Sequence, residues 1–158
     1  MSFIGIITNP KNEEYMAKML SKDFPIENII FITNKNIKNI RNIRFQTIAI
    51  DKEIKDSTNL KMIVSNANYI ILNSDLNIDL EILKNLDLVV ISYGFNSKAT
   101  FTISSVSENN IIICLQRIIK NIFGSKYEPQ ELEIENTKNV DISAIICVQS
   151  IRLMYGKI

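Results

Sequence analysis

The sequence has 158 residues, of which 46% are apolar and 22% are charged, and its formal net charge is +1. These values are typical of a globular protein and exclude an intrinsically disordered chain. A net charge near zero gives no overall field that would attract nucleic acid or an anionic membrane surface, so neither is expected as a partner. The length fits one domain, over residues 1–158.

The sequence contains no histidine and two cysteines. Without histidine, Ser–His and Cys–His catalysis and histidine metal sites are excluded. Cys114 and Cys147 lie in separate apolar runs, which indicates buried free thiols, and we predict no metal site and no cofactor. The N-terminus lacks the basic region of a signal peptide, and no apolar run reaches the ~20 residues of a membrane span. We therefore expect a cytoplasmic protein.

The first part of the chain alternates between apolar runs and amphipathic stretches. Asn9 and Pro10 are typical of a helix start, and Ile37, Ile40 and Ile43 indicate a short helix or a turn. Strands are predicted at residues 3–8, 29–33, 45–51, 69–72 and 88–92, and helices from residue 10 to Pro25, at 57–67 and at 79–86. This alternation over residues 1–95 predicts an α/β fold with a mostly parallel, Rossmann-like sheet flanked by helices.

The pattern changes in the second part, residues 96–158. Strands are predicted at residues 100–106 and 111–118, separated by a turn, and the alternating segment 131–135 is typical of a half-exposed edge strand. Residues 139–155 place apolar side chains on one face of a helix, and Gly156 is a natural stop. We therefore predict a small β-meander and a C-terminal helix.

No phosphate loop and no dinucleotide-binding glycine motif is present, because the four glycines lie far apart. Ligands of parallel α/β sheets bind at the carboxyl ends of the strands, so the polar residues that follow predicted strands are the candidate contacts. They are Asn9, Asn73, Ser74, Asp75, Tyr93, Asn96 and Lys98. The basic residues Lys35, Lys38, Arg41 and Arg44 are best interpreted as a solvated outer face.

The order of motifs YIILNSD, LVVISYGFNSKATFTISSV and NVDISAIICVQSIRLMYG resembles the later part of the central, ATP-binding domain of the Mur ligases. The resemblance covers about residues 68–156 and implies a Mur central-domain-like scaffold, with Asn73, Asp75 and Asn139 as nucleotide contacts. The phosphate loop and the magnesium-binding residues of that family have no counterpart in residues 1–67. Lys138 stands in place of the motif histidine, and Ile142 in place of its second asparagine.

Three functions stay open. The leading hypothesis is a non-catalytic Mur-ligase-like domain that binds a small ligand of the nucleotide or UDP-sugar type, or a protein partner. The first alternative is a small enzyme in which Asp75, Tyr93 and Lys98 converge around a substrate. The second is a structural or assembly protein, in which the edge strand near Leu132 and the final helix pair with another copy as a homodimer.

Overall fold

A computed structural model describes residues 2–158. Within them, the strands and helices follow in the order β1 (Phe3–Ile7), α1 (Pro10–Leu20), β2 (Ile29–Phe31), β3 (Phe45–Ile50), α2 (Ser57–Val64), β4 (Tyr69–Asn73), β5 (Val89–Gly94), β6 (Phe101–Val106), β7 (Asn110–Leu115), β8 (Ile119–Lys120), β9 (Lys126–Tyr127), β10 (Gln130–Glu135) and α3 (Ile142–Met154). Short 3₁₀ helices occupy Ile26–Asn28 and Leu80–Leu83. No helix of this region is long and apolar enough to cross a bilayer.

Eight strands form one sheet in the order β10-β7-β6-β5-β4-β3-β1-β2. β2, β1, β3, β4, β5 and β6 are parallel, whereas β7 is antiparallel to both β6 and β10. The predicted α/β fold with a mostly parallel, Rossmann-like sheet is therefore confirmed. The order of the first five strands, which the sequence left open, is 2-1-3-4-5, as in flavodoxin-like sheets, and places a topological switch point between β1 and β3.

Helices cover the two faces of the sheet unequally. One face carries a core cluster that joins α1 and α3 to the sheet through residues such as Ile6, Met16 and Ile145. The opposite face packs β1, β3 and β4 against α2 through residues such as Ile48 and Ile63. β1, β3 and β4 are buried on both faces, which explains why they appear in the sequence as continuous apolar runs.

Helix α3 lies in the centre of the molecule. Ala144 to Val148 are all buried, and the helix contacts α1, β4 and β5. It begins at Ile142 and not at the predicted residue 139, because Asn139 adopts a left-handed conformation with φ 64°. The apolar residues of α3 are covered within the chain, and the expected pairing of this helix with a second copy stays a prediction.

The connection from β5 to β6 consists of only the six residues 95–100. Parallel neighbours usually need a longer crossover. The short connection is sufficient here because only the end of β5 pairs with the start of β6, at Tyr93–Phe101 and Gly94–Thr102. β6 and β7 therefore extend beyond the carboxyl edge of the parallel strands.

Several element boundaries differ from the prediction. The segment 79–86 forms one short 3₁₀ helix, at Leu80–Leu83, and residues 34–39 form turns. β5 extends two residues beyond the predicted end at Ser92. The β8–β9 hairpin and the 3₁₀ helix Ile26–Asn28 were not predicted.

Candidate functional site

A buried carboxylate lies at the switch point of the sheet. Asp51 directly follows β3 and is 7% exposed. Its Oδ2 accepts a hydrogen bond from Thr8 Oγ1 at 2.8 Å, and its Oδ1 accepts one from the Tyr93 hydroxyl at 2.5 Å. Burial raises the pKa of Asp51 above its usual value, and the hydrogen bonds from Tyr93, Thr8, Ser143 and Asn73 act in the opposite direction.

Two further titratable groups border this carboxylate. Burial raises the pKa of the Tyr93 hydroxyl and of the Cys147 thiol well above their usual values, so both groups are neutral at physiological pH. A buried, protonated thiol is not a nucleophile. The polar groups around Asp51 are hydrogen-bonded within one network, and this network links β1, β3, β5 and α3.

A cavity of about 300 Å³ opens beside this network, at the carboxyl ends of β1, β2 and β3. Ile7, Ile32 and Ile54 form its apolar wall. Lys35 and Lys52 provide positive charge, and neither belongs to an ion pair within residues 2–158. The remaining lining residues are Thr8, Pro10, Thr33, Asn34 and Glu53. An apolar wall with two cationic side chains suits a small amphipathic anion.

A second cavity of about 240 Å³ adjoins the first and shares Glu53 and Ile54 with it. It lies between the segment after β3 and the segment after β4, and Lys55 and Asp79 line it. Glu53 Oε1 accepts a hydrogen bond from the backbone amide of Asn77 at 3.0 Å, which joins the two segments. The two cavities form a groove along the carboxyl edge.

The start of α1 borders the groove but is tied to α3. Lys11 Nζ lies 2.8 Å from Asp141 Oδ1, and Asn12 Nδ2 donates to Asp141 Oδ2 at 3.0 Å. Hydrogen bonds from Lys11 and Asn12 lower the pKa of Asp141. Asn9 is exposed, and its side chain makes no capping hydrogen bond. Lys11 is therefore engaged by Asp141, whereas Lys35 and Lys52 are available to a ligand.

The predicted residues of the segment 73–75 organise a loop. The carboxylate of Asp75 accepts hydrogen bonds from the backbone amides of Phe95, at 2.7 Å, and Asn96, at 3.1 Å. Asn73 Oδ1 accepts one from the amide of Asp75, and Ser74 Oγ donates to the carbonyl of Tyr93. This segment therefore holds the loop after β5 in place.

The convergence that the enzyme hypothesis requires is absent. The Tyr93 hydroxyl is directed to Asp51, and Asp75 binds backbone amides of the neighbouring loop. Lys98 is exposed on the same loop, where its carbonyl accepts a hydrogen bond from Arg117 Nη2 at 2.6 Å. Asn139 is exposed before α3. None of the predicted site residues lines the cavity of about 300 Å³ at the ends of β1, β2 and β3.

Sequence reasoning did not choose Asp51 or Lys52 as site residues, and it interpreted Lys35 as part of a solvated outer face. Asp51 is the last residue of a predicted strand, and Lys35 and Lys52 follow predicted strands closely, so their position was the available signal. Their grouping depends on β1 lying between β2 and β3, which the sequence pattern does not specify. Among residues 2–158, no three histidine, cysteine or acidic side chains are placed to hold a metal ion.

The fold defines a Rossmann-like α/β protein. Neither a protein-family model nor a curated protein matches the chain. Among solved structures, the chain is similar to the apo-structure of D-lactate dehydrogenase from Escherichia coli, with a TM-score of 0.40 and 18% sequence identity. The similarity covers 57% of this chain and 31% of that enzyme, so the chain corresponds to about a third of its length.

Proposed function

We propose that the chain is a non-catalytic domain that binds a small anionic ligand, of the nucleotide or UDP-sugar type, at the carboxyl edge of its sheet. The observation that carries this proposal is the cavity of about 300 Å³ at the switch point, whose wall holds two lysines without an ion-pair partner in residues 2–158. In open α/β sheets, ligands bind in the crevice at this point.

The chemistry of the cavity supports an anion with an apolar body. Its volume is at the lower end of the range for ligand pockets, roughly 300–1,000 Å³, and the adjoining cavity gives room for a larger ligand. The ammonium groups of Lys35 and Lys52 are suited to phosphate or carboxylate oxygens. A ring or an aliphatic group would contact Ile7, Ile32 and Ile54.

We propose that the domain is non-catalytic because of the hydrogen bonds that its acidic side chains make. Asp51 is buried and accepts hydrogen bonds from its neighbours, and Asp75 holds backbone amides. Neither lines the cavity, and Glu53, the acidic residue that does, accepts a hydrogen bond from the backbone amide of Asn77. Membership of the Mur ligase family stays a prediction, carried by the motifs of residues 68–156, and a protein partner at the same edge remains the alternative ligand.

Thermal-shift and calorimetric titration against nucleotides, UDP-sugars and inorganic phosphate, with and without magnesium, would test the proposal. A ligand at ~100 times its dissociation constant should stabilise the protein by about 2.7 kcal/mol. Lys52→Gln and Lys35→Gln should each weaken binding roughly ten- to a hundredfold, since a hydrogen bond to a charged group contributes roughly 1.5–3 kcal/mol. The matched control is Lys61→Gln, on the exposed side of α2.

Binding that is unchanged in both lysine variants would place the ligand elsewhere and contradict the proposal. Turnover of a bound nucleotide by pure protein would contradict the proposal that the domain is non-catalytic. Flat titrations across the whole panel would remove the small-ligand function and favour a protein partner.

A further inference from the structure

The strand β10 forms one edge of the sheet, and its outer side carries unpaired backbone groups. Among the strands of residues 2–158, β10 pairs with β7 alone. The amide of Asn136, directly after β10, donates to the carbonyl of Asn109, so these two residues are at a hydrogen-bonded position of the ladder. Because such positions alternate in an antiparallel ladder, the backbones of Leu132 and Ile134 bond to β7 in the same way. The N–H and C=O groups of the residues that alternate with them therefore point to the free edge.

Glutamates occupy these outward-pointing positions of β10. They are Glu131, Glu133 and Glu135. All three are exposed, and none belongs to an ion pair in the described part of the chain. No basic residue occurs between Lys126 and Lys138, so β10 carries no positive charge of its own. The edge thus combines free ladder groups with negative charge that has no partner in residues 2–158.

A cavity of about 280 Å³ lies beside this edge, between β10, the second half of α3 and the last residues of the chain. Leu132, Ile134 and Ile158 provide its apolar surface, and α3 leaves the two strand residues only partly buried. The polar lining residues are Glu133, Glu135, Gln149, Arg152 and Lys157. Arg152 Nε is paired with Asp23 Oδ2 at 2.7 Å, so its charge is already balanced. An aliphatic side chain that enters from the edge would complete the burial of Leu132 and Ile134.

A strand added at this edge has to follow a defined side-chain pattern. In an antiparallel ladder, residues directly opposite one another place their side chains on the same face of the sheet. Residues opposite the glutamates should therefore be lysine or arginine, since opposite charges at paired positions stabilise a sheet. Residues opposite Leu132 and Ile134 lie on the α3 face, next to the cavity, and should be aliphatic.

A second copy of β10 does not fit this pattern. Pairing of β10 with β10 sets outward-pointing residues against each other, so each glutamate would lie opposite a glutamate. Like charges at directly opposite positions are destabilising. Charged side chains on edge strands prevent pairing between copies in this way, and a basic strand meets no such barrier.

We propose that the free edge of β10 binds an extended protein segment in which basic and aliphatic residues alternate, and that this segment adds to the sheet as an antiparallel strand. The ladder hydrogen bonds supply affinity, and the two sets of side-chain contacts supply selectivity. Antiparallel pairing is the more stable orientation for two strands. The cavity beside β10 shares no residue with the cavity at the switch point, so this interaction is independent of the proposed function.

Fluorescence anisotropy with the full chain and a labelled synthetic peptide tests the proposal. The peptide alternates lysine and valine over six residues, the length of β10, and both of its ends are blocked. In a control peptide of the same composition all lysines precede all valines, so it cannot separate the two residue types onto opposite faces of a strand. We expect the alternating peptide to bind at least about tenfold more tightly. Equal affinities, or no binding of the alternating peptide, would overturn the proposal.

Backbone methylation of the peptide tests the ladder itself. In the proposed arrangement the lysines direct their backbone N–H groups to β10, whereas the valines direct theirs to solvent. Methylation of the backbone nitrogens of the lysines should therefore weaken binding at least about tenfold, because ladder hydrogen bonds are lost. The same change at the valines should alter binding by less than about threefold. Equal effects, or a reversed order, would contradict the antiparallel ladder.

A triple substitution in the protein tests the role of the glutamates. It replaces each by glutamine, which keeps the size of the side chain and the backbone edge, and should weaken binding of the alternating peptide about tenfold. The control neutralises as many exposed carboxylates elsewhere, changes the net charge by the same amount and should bind as the wild type does. The variants are E131Q/E133Q/E135Q and, as the control, E14Q/E27Q/D87N. An equal loss in both, with the circular dichroism and unfolding transition of the wild type preserved, would show that net charge decides binding and would rule out the edge of β10 as the site.

Discussion

At the scale of single residues, the hydrogen bond between Tyr93 and Asp51 joins the middle of the sheet to its switch point. Tyr93 is fully buried, and its hydroxyl donates to a carboxylate that is itself 7% exposed. Tyr93→Phe removes this donor, so a buried oxygen of the Asp51 carboxylate loses a hydrogen bond. We expect a loss of about 2 kcal/mol in the free energy of unfolding, measured by urea denaturation.

The matched control is Tyr127→Phe. Tyr127 is half-buried in the β8–β9 hairpin, and its hydroxyl makes no side-chain hydrogen bond with the described residues. Its replacement should change stability by less than about 0.5 kcal/mol. Equal effects of the two substitutions would show that the Tyr93 hydroxyl contributes nothing specific.

The same carboxylate should give the protein a distinctive pH dependence. Burial raises the pKa of Asp51 in the folded state above the ordinary value of 3.8. The folded state therefore binds more protons than the unfolded state above this pH, and the contribution of Asp51 to stability declines as the pH rises through its folded pKa. Asp51→Asn removes this decline, so its stability relative to the wild type should be higher at pH 7 than at pH 4.

Asp141 provides a control of opposite sign. Hydrogen bonds from Lys11 and Asn12 lower its pKa below 3.8, so its contribution is present above that pH and is lost as the pH falls through the folded pKa. The deficit of Asp141→Asn relative to the wild type should shrink in acid below pH 3.8. Parallel pH profiles for the Asp51→Asn and Asp141→Asn variants would contradict both assignments.

At the scale of elements, the turn after β5 depends on a glycine. Gly94 has φ +148°, and a Cβ there would lie 2.5 Å from Asp75 Oδ2. Asp75 cannot retreat without losing its bonds to the amides of Phe95 and Asn96. Gly94→Ala should therefore combine backbone strain with displacement of Asp75 and destabilise the protein by about 3 kcal/mol in denaturant unfolding.

Gly124→Ala separates the two causes. Gly124 also has a positive φ, +85°, but a Cβ added there would meet no described atom within 4 Å. It should show the backbone strain alone, about 1 kcal/mol. If Gly124→Ala were as damaging as Gly94→Ala, the contact with Asp75 would have no energetic role.

The elements show what sequence patterns predict and what they miss. Strands β1, β3 and β4 were predictable because burial on both faces requires continuous apolar runs. The end of β5 was misplaced because Tyr93 looks like a loop residue, although its ring is buried and its hydroxyl reaches Asp51, 42 positions away in the chain. The spacing of apolar residues indicates which side chains of one helix or strand are buried. It contains no information about polar contacts between residues that lie far apart in the chain.

The candidate site was missed for a related reason. Ligand binding was expected at the carboxyl ends of the parallel strands, and the segments after β1, β2 and β3 line a cavity there. Which of their side chains meet depends on strand order, because β2 and β3 lie on opposite sides of β1. Lys35 and Lys52 therefore line the same cavity, although they belong to different loops, one after β2 and one after β3.

At the scale of the whole molecule, the last helix completes the core. α3 and its C-terminal residue Tyr155 provide nine of the 23 buried residues in the cluster on that face of the sheet. Burial of one large aliphatic side chain contributes roughly 1.5–3 kcal/mol, so the sum for α3 is comparable to the entire net stability of a domain, about 5–15 kcal/mol. The strands formed by the first 135 residues therefore depend on a helix of 13 residues near the end of the sequence.

A chain that ends at residue 137 should consequently lack a cooperative unfolding transition, as measured by circular dichroism during urea denaturation. The exposed face of β4 and β5 would have no cover, and Met16 and Leu20 of α1 would lose part of their packing. A chain that lacks only the exposed Lys157 and Ile158 is the control and should unfold cooperatively. Addition of a synthetic peptide of residues 138–158 should restore the transition in the shortened chain. A cooperative transition without α3 would mean that the sheet and the two other helices already form a complete core, and that α3 only covers a structure that is stable without it.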